Sequence, residues 1–212
     1  SGKKLGYLTT RKVLLFFIPV YLLGVLSLYS QDSIPDSVIA FLPVGFSVIG
    51  VGMVLKSFTE RIHARMAWIL VILNHFWVAL AIGFNERIDS VHIFLYLSGI
   101  VVFGLIGYLS LRRLRFLEGG IDMRQFHGHS YRHPKISLLF LISCLGVSGF
   151  PITPTFIGED LIFTHIHEHQ FILAFFTALS FIIDGLAIIR IYARVFLGPH
   201  SKSVYEMAYR SS

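Results

Sequence analysis

The chain has 212 residues, of which 55% are hydrophobic and 15% aromatic but only 14% charged, and its mean hydropathy is +0.72. That balance excludes a soluble globular domain, whose surface needs far more charge, and defines an integral membrane protein. The net charge of +6 reads in such a chain as basic loops on one face of the membrane rather than as a nucleic-acid surface.

Six apolar segments follow in order: Lys12–Ser30, Ser37–Lys56, Arg65–Phe84, Ser90–Leu111, Lys135–Phe150 and Phe171–Leu197. A spanning helix needs about 20 apolar residues, and all but the fifth approach that. The runs are continuous rather than alternating, which excludes an outer-membrane barrel. The expected fold is all-α: a polytopic transmembrane bundle of about six helices in one membrane domain, residues 1–212, with one helix broken near Pro151 and Pro154. The basic start shows no small-residue cleavage site, so no signal peptide is expected. Cys144, the single cysteine, lies in an apolar run and offers neither a disulfide nor a thiolate metal site.

The basic residues alternate with the segments. One set of connections carries Lys3, Lys4, Arg11 and Lys12, then Lys56, Arg61 and Arg65, then Arg112 to Lys135, then Arg190, Arg194, Lys202 and Arg210. Arg87 is the only one of the 18 Lys and Arg residues to fall in the other set. Six crossings with both termini on the cytoplasmic, matrix or stromal side fit this split.

Ionisable groups at bilayer depth are expensive and mark function by default. His75, beside Asn74, is central in the third segment, and Asp184 is central in the sixth. Thr177, Ser180 and Asp184 are spaced i, i+3 and i+7, which puts them on one stripe of a helix. The stripe suits a hydrated proton path. It suits equally a protonated Asp184 hydrogen-bonded to a neighbouring helix and locking the bundle. Arg190 and Arg194, near the end of the same segment, can snorkel to lipid phosphate or a neighbouring subunit. Ser143, Gly146 and Ser148 offer a face for close approach to other membrane subunits.

The fifth segment ends in "GVSGFPITPTFIGEDLIF" (Gly146–Phe163). Pro151 and Pro154 lack backbone donors and push their predecessors out of the α region, so the helix stops or kinks near Phe150. The plainer expectation is a corner at the outer interface, with Glu159 and Asp160 in water in the first turn of the next helix. The sharper one is a broken helix at membrane depth, tolerated only inside protein or beside water.

The histidines form two groups: His127, His129 and His133 in one loop, and His165, His167 and His169, with Glu168, in another. Alternating histidines can ligate zinc or copper, but the topology puts the groups on opposite faces, and no metal site is assigned. No phosphate loop, dinucleotide fingerprint or nucleophile set occurs, so no cofactor and no catalytic constellation is expected.

Gly119–Phe163 resembles the proton-pumping, antiporter-like membrane subunits of respiratory complex I and of multi-subunit cation/proton antiporters. Asp122, Arg124, Pro134, Gly149, Pro151, Pro154, Gly158, Glu159 and Asp160 fall in the order of that family's Asp-x-Arg loop, helix break and acidic restart. Ala178–Gly198, ending "RIYARVFLG", resembles a later helix of the family. The resemblance implies a membrane subunit of a proton- or cation-translocating complex, with other membrane subunits, lipids and a peripheral soluble subunit as partners. It implies a bacterial plasma membrane or an energy-transducing organelle membrane. The family's embedded lysine has no counterpart in Ser90–Leu111. A non-pumping anchor or docking subunit, or a fragment of a longer pump, is therefore the alternative.

Overall fold

The computed structural model describes residues 10–85, 90–164, 166–168 and 170–199. Lys3, Lys4, Arg87, Lys202, Arg210, His165 and His169, named above, lie outside them. Eight α-helices occur among the described residues: α1 (Thr10–Tyr29), α2 (Asp36–Thr59), α3 (Ala64–Asn85), α4 (Ser90–Glu118), α5 (His129–Arg132), α6 (Pro134–Val147), α7 (Pro154–Thr164) and α8 (Phe171–Phe196). Five of them, α1, α2, α3, α4 and α8, are long and apolar enough to cross a membrane. The protein is an integral membrane protein with an all-α, polytopic fold.

α3 is the axis. Of its most apolar stretch 83% is buried, against 17% for α1 and 33% for each of the other three long helices. It packs on α1, α2, α4 and α8. Hydrophobicity does not drive helices together in lipid; close backbone approach and buried hydrogen bonds do. The contacts of α3 show both. On the α4 side Gly104 and Gly107 face Ile72 and Trp68, and Trp68 Nε1 donates to the Gly104 carbonyl at 2.9 Å. On the α2 side Ser57 Oγ donates to the Ala67 carbonyl at 2.8 Å. α1 is held more lightly, through Phe17 and Tyr21 packed edge-on against Trp77.

The short fifth segment is only half of a crossing. α6 begins near α8, where Ser137 and Tyr192 share a hydrogen bond, and it climbs α4 until Gly146 meets the Phe103 ring. After a six-residue interruption α7 continues along the same helix, with Thr155 at Gly99 and Gly158 at Tyr96. Helices of 14 and 11 residues rise about 21 Å and about 16 Å, together enough for one span. The interruption therefore lies beside the middle of α4, not at the outer interface. Glu159 and Asp160 are also not in a first turn, since α7 starts at Pro154. The expected corner is replaced by a discontinuous helix. Pro134 opens α6 at its first position, where a missing N–H costs nothing.

Within the break Gly149 has φ +67° and Ile152 φ +87°. A β-branched residue there is strained, and Ile152 is 93% exposed. Ser143 is buried inside the chain and Gly146 lies against Phe103 of α4, while Ser148 of that expected docking face is exposed.

The α2–α3 connection, the segment after α4 and the end of α8 meet at one end of the bundle. His63 pairs with Asp122, Arg190 donates to the Phe58 carbonyl, and the His127 and Gly128 amides donate to Arg194 and Leu197. The described basic residues from Lys56 to Lys135 and at the end of α8 collect there, as the alternation predicts.

Candidate functional site

Three helices bring one polar chain together in the interior. His75 stands on α3, ten residues before its end. Its Nδ1 lies 2.6 Å from the Tyr96 hydroxyl of α4, and its Nε2 lies 3.2 Å from Asp184 Oδ2 of α8. His75 and Asp184 side chains are 0% and 2% exposed, and Tyr96 is fully buried. The imidazole packs against Phe181 as well as Tyr96, so it is held in an apolar frame.

Neutral imidazole has one donor and one acceptor nitrogen, and this fixes what the chain can do. With Asp184 ionised, Nε2–H donates to the carboxylate and Nδ1 accepts from the Tyr96 hydroxyl. With Asp184 protonated, its O–H donates to Nε2 and Nδ1–H donates to Tyr96. Both arrangements use the same heavy-atom positions. Relaying one proton from Tyr96 to Asp184 would leave the imidazole in its other tautomer, so a second transfer in the same direction requires the ring to tautomerise or turn.

α7 adds a second carboxyl group. Gly158 lies so close to Tyr96 that a Cβ there would sit 2.4 Å from the tyrosine Cβ and 2.6 Å from its Cα. That approach aims the next residue, Glu159, inward: its carboxylate lies against Gly149 in the break and acts electrostatically on His75, Asp184 and Tyr96. Glu159 is half-buried while Asp160 is exposed, so the acidic pair divides its duties.

Around this core lie buried polar atoms with no hydrogen-bond partner among the described residues: both amide atoms of Asn74, Thr177 Oγ1 and Asp184 Oδ1. Asn74 faces Gly50 of α2, where a Cβ would sit 2.6 Å from its Oδ1. Ser180 donates to the Thr177 carbonyl at 2.9 Å. The expected stripe of Thr177, Ser180 and Asp184 is thus buried along α8, and among the described residues Asp184 is the member that bonds to another helix. Unsatisfied buried polar groups are sites where water or a transferring proton is accommodated.

The remaining motif residues lie elsewhere. Asp122 and Arg124 are at the basic end, where the guanidinium grips the Asp122 carboxylate through Nε at 3.0 and 2.8 Å. The hydrogen bond from Arg124 holds the Asp122 carboxyl below the usual carboxylate range. The pair is local to the connection after α4, which the His63–Asp122 backbone bridge ties to the α2–α3 turn, and it does not reach the buried chain. His127, His129 and His133 do converge, with ring centroids 4.9 and 6.4 Å apart. Glu118, however, takes His133 Nε2 at 2.6 Å and Arg132 at 3.5 Å, and among the described residues no cluster has a metal-holding arrangement. His167 and Glu168 are exposed on the other side of the break.

Tyr96 is the site residue that sequence reasoning missed. A tyrosine in an apolar helix reads as packing, and no spacing within α4 connects it to His75. Gly158, in step with Gly149, was the available signal, because a glycine inside a helix asks what sits against it.

The discontinuous helix beside a buried carboxylate–imidazole chain defines a polytopic helical membrane protein with a polar interior. The comparisons name the family. The model of the family described as "NADH:quinone oxidoreductase/Mrp antiporter, TM" matches residues 62–183, more than half of the chain, and the chain belongs to that family. Similar curated proteins include NADH-ubiquinone oxidoreductase chain 4 of Dictyostelium citrinum, 43% identical over 63 residues, which are 30% of this chain and 15% of that one. NADH-quinone oxidoreductase subunit M of Rickettsia bellii (strain RML369-C) is 31% identical over 77 residues, 36% of this chain and 16% of its own. NADH-quinone oxidoreductase subunit N of Blochmanniella floridana is 28% identical over 110 residues, 50% and 22%. The chain thus aligns with less than a quarter of the length of each. No solved structure matches.

Proposed function

We propose that the chain is a membrane subunit of a multi-subunit proton- or cation-translocating complex, and that it moves protons along Tyr96, His75 and Asp184. The observation that carries this reading is the His75 imidazole, bonded at both nitrogens to titratable groups of two other helices, with a second carboxyl group, Glu159, delivered by the broken helix. Asn74, Thr177 and Ser180 supply polar lining along the same interior. Tyr96 stands on the helix where the family's embedded lysine is expected, and its hydroxyl offers that helix a proton-bearing group of another kind. The family match and the relatives' names support the complex; other membrane subunits, and a peripheral soluble one, are its expected partners. The basic end faces the cytoplasm or the equivalent compartment, by the excess of Lys and Arg there. Relatives from bacteria and from an amoeba fit a bacterial plasma membrane or an organelle membrane.

The test is proton movement in reconstituted vesicles. Asp184→Asn keeps the size and hydrogen bonding of the side chain but removes its proton exchange, and His75→Gln does the same for the imidazole. Each variant assembles normally and moves protons at about 1% of the wild-type rate or less, the scale expected for loss of a positioned proton carrier. Normal flux in both would refute the relay and leave a non-pumping anchor as the function.

A further inference from the structure

At the basic end, α2, α8 and the connection after α4 enclose an open cleft of about 590 Å³, within the range of small-ligand sites. Arg61, Arg124, Arg190 and Arg194 line it, with Phe58 at its wall. Arg124 is neutralised by Asp122. The nearby Glu60 is occupied by Lys56 at 3.1 Å and by the amides of Ile62 and His63. Arg61, Arg190 and Arg194 have no carboxylate partner among the described residues.

Two of these guanidiniums are fixed in place. Arg190 donates to the Phe58 carbonyl and lies over the Phe58 ring, 5.7 Å from its centroid. Arg194 stacks on Phe126 at 4.3 Å and reaches the Arg124 carbonyl at 3.4 Å. Each arginine keeps donors free, and their planar forks suit phosphate oxygens. Like charges held this close call for a counter-anion.

The cleft's setting identifies which anion. Leu186, one turn before Arg190 on α8, and Leu55, one turn before Phe58 on α2, are 50% and 47% exposed. Ile182 and Ile189 are exposed alongside. An apolar surface therefore runs from the cleft along the outside of two spanning helices. A free phosphate would use the arginines and ignore that surface; a phospholipid would use both. Basic pockets between helices at this end of a membrane protein are suited to anionic headgroups.

The geometry points to a binding site for an anionic phospholipid, its phosphate held by Arg61, Arg190 and Arg194 and its acyl chains laid along Leu55 and Leu186. It does not depend on the proton relay, since none of its residues belongs to the buried chain.

The experiment measures thermal unfolding and bound-lipid retention of the protein extracted in mild detergent, titrated with phosphatidylglycerol, phosphatidylcholine or inorganic phosphate. Phosphatidylglycerol raises the unfolding midpoint and stays bound in native mass spectra, while phosphatidylcholine and inorganic phosphate do neither. Arg61→Gln/Arg194→Gln weakens phosphatidylglycerol binding at least tenfold; Arg190 is left intact because it caps Phe58. Arg112→Gln/Arg113→Gln removes the same charge from the same end of the bundle and leaves binding unchanged. Equal weakening in both double variants would reduce the effect to net charge and overturn the site. Competition by inorganic phosphate at the lipid's own concentration would overturn the lipid as its ligand. So would unchanged binding in Arg61→Gln/Arg194→Gln.

Discussion

Two of the histidine–carboxylate pairs among the described residues differ in everything but chemistry. His75 and Asp184 meet at 3.2 Å with side chains 0% and 2% exposed. His133 and Glu118 meet at 2.6 Å with side chains 21% and 17% exposed. The second pair has an arginine, Arg132, on the same carboxylate and water within reach, so any change of charge is absorbed locally. The first has Tyr96 on the far nitrogen, a second carboxyl group nearby, and one Asp184 oxygen without a partner among the described residues. There a change of charge on one group must be answered by another, because the low dielectric leaves nothing else to answer it. The shorter contact is partly solvated; the longer one is dry, and the proposed relay rests on it.

Removing one partner from each pair breaks that comparison most forcefully. Asp184→Leu strands His75 Nε2 in the interior and costs about 3 kcal/mol, the scale of an orphaned buried partner. Glu118→Leu costs about 1 kcal/mol or less, as partly solvated pairs do. Unfolding midpoints in detergent measure both. Similar losses in the two variants would mean that Asp184 is no more committed than Glu118.

Gly158→Ala sharpens the comparison without touching a titratable group. The added methyl would overlap Tyr96 at its backbone, so α7 must move off α4, at about 1–3 kcal/mol for an overpacked contact. Proton movement falls with it, since both Tyr96 and Glu159 lose their positions. Retained flux with a displaced α7 would remove Glu159 from the path. Tyr96→Phe is smaller again. It deletes one hydrogen bond to Nδ1 and keeps the ring, costing about 1 kcal/mol, and it slows proton movement less than Asp184→Asn does. A flux equal to wild type would make Tyr96 a packing residue only.

The fold was legible in the sequence where one physical rule decides it. Continuous apolar runs gave the long helices, and the alternation of basic loops placed the shared end, because hydropathy and charge act residue by residue. His75 and Asp184 stood out for the same reason: a titratable group in an apolar run is costly wherever the helix packs. What the sequence could not show was depth. Pro151 and Pro154 say that a helix stops, not where in the membrane it does so. Only packing against Gly99 and Tyr96 of α4 reveals that α7 resumes the same crossing and turns Glu159 inward. Tyr96 was hidden likewise, since its role is set by helices 21 and more residues away in the chain.

The smallest effect belongs to the solvated pair's neighbour, His129. It is 6% exposed, its Nε2 has no partner among the described residues, and it faces Glu118, His127, His133 and Arg132. Burial holds its ionisation below the ordinary histidine value; Glu118 opposes the shift, and His127, His133 and Arg132 add to it. The unfolded chain, titrating near the ordinary value of about 6.5, then binds more protons than the folded one at mildly acidic pH. Stability contributed here is therefore fully present above about pH 6.5, declines as the pH falls through that value, and stops declining once the folded histidine is also protonated. Thermal unfolding between pH 7.5 and 5 follows this directly. His129→Gln flattens the acid limb of that profile, whereas Asp184→Asn leaves it in place. An acid limb unchanged in His129→Gln would transfer the dependence to another group and show that His129 keeps its ordinary ionisation in the folded chain.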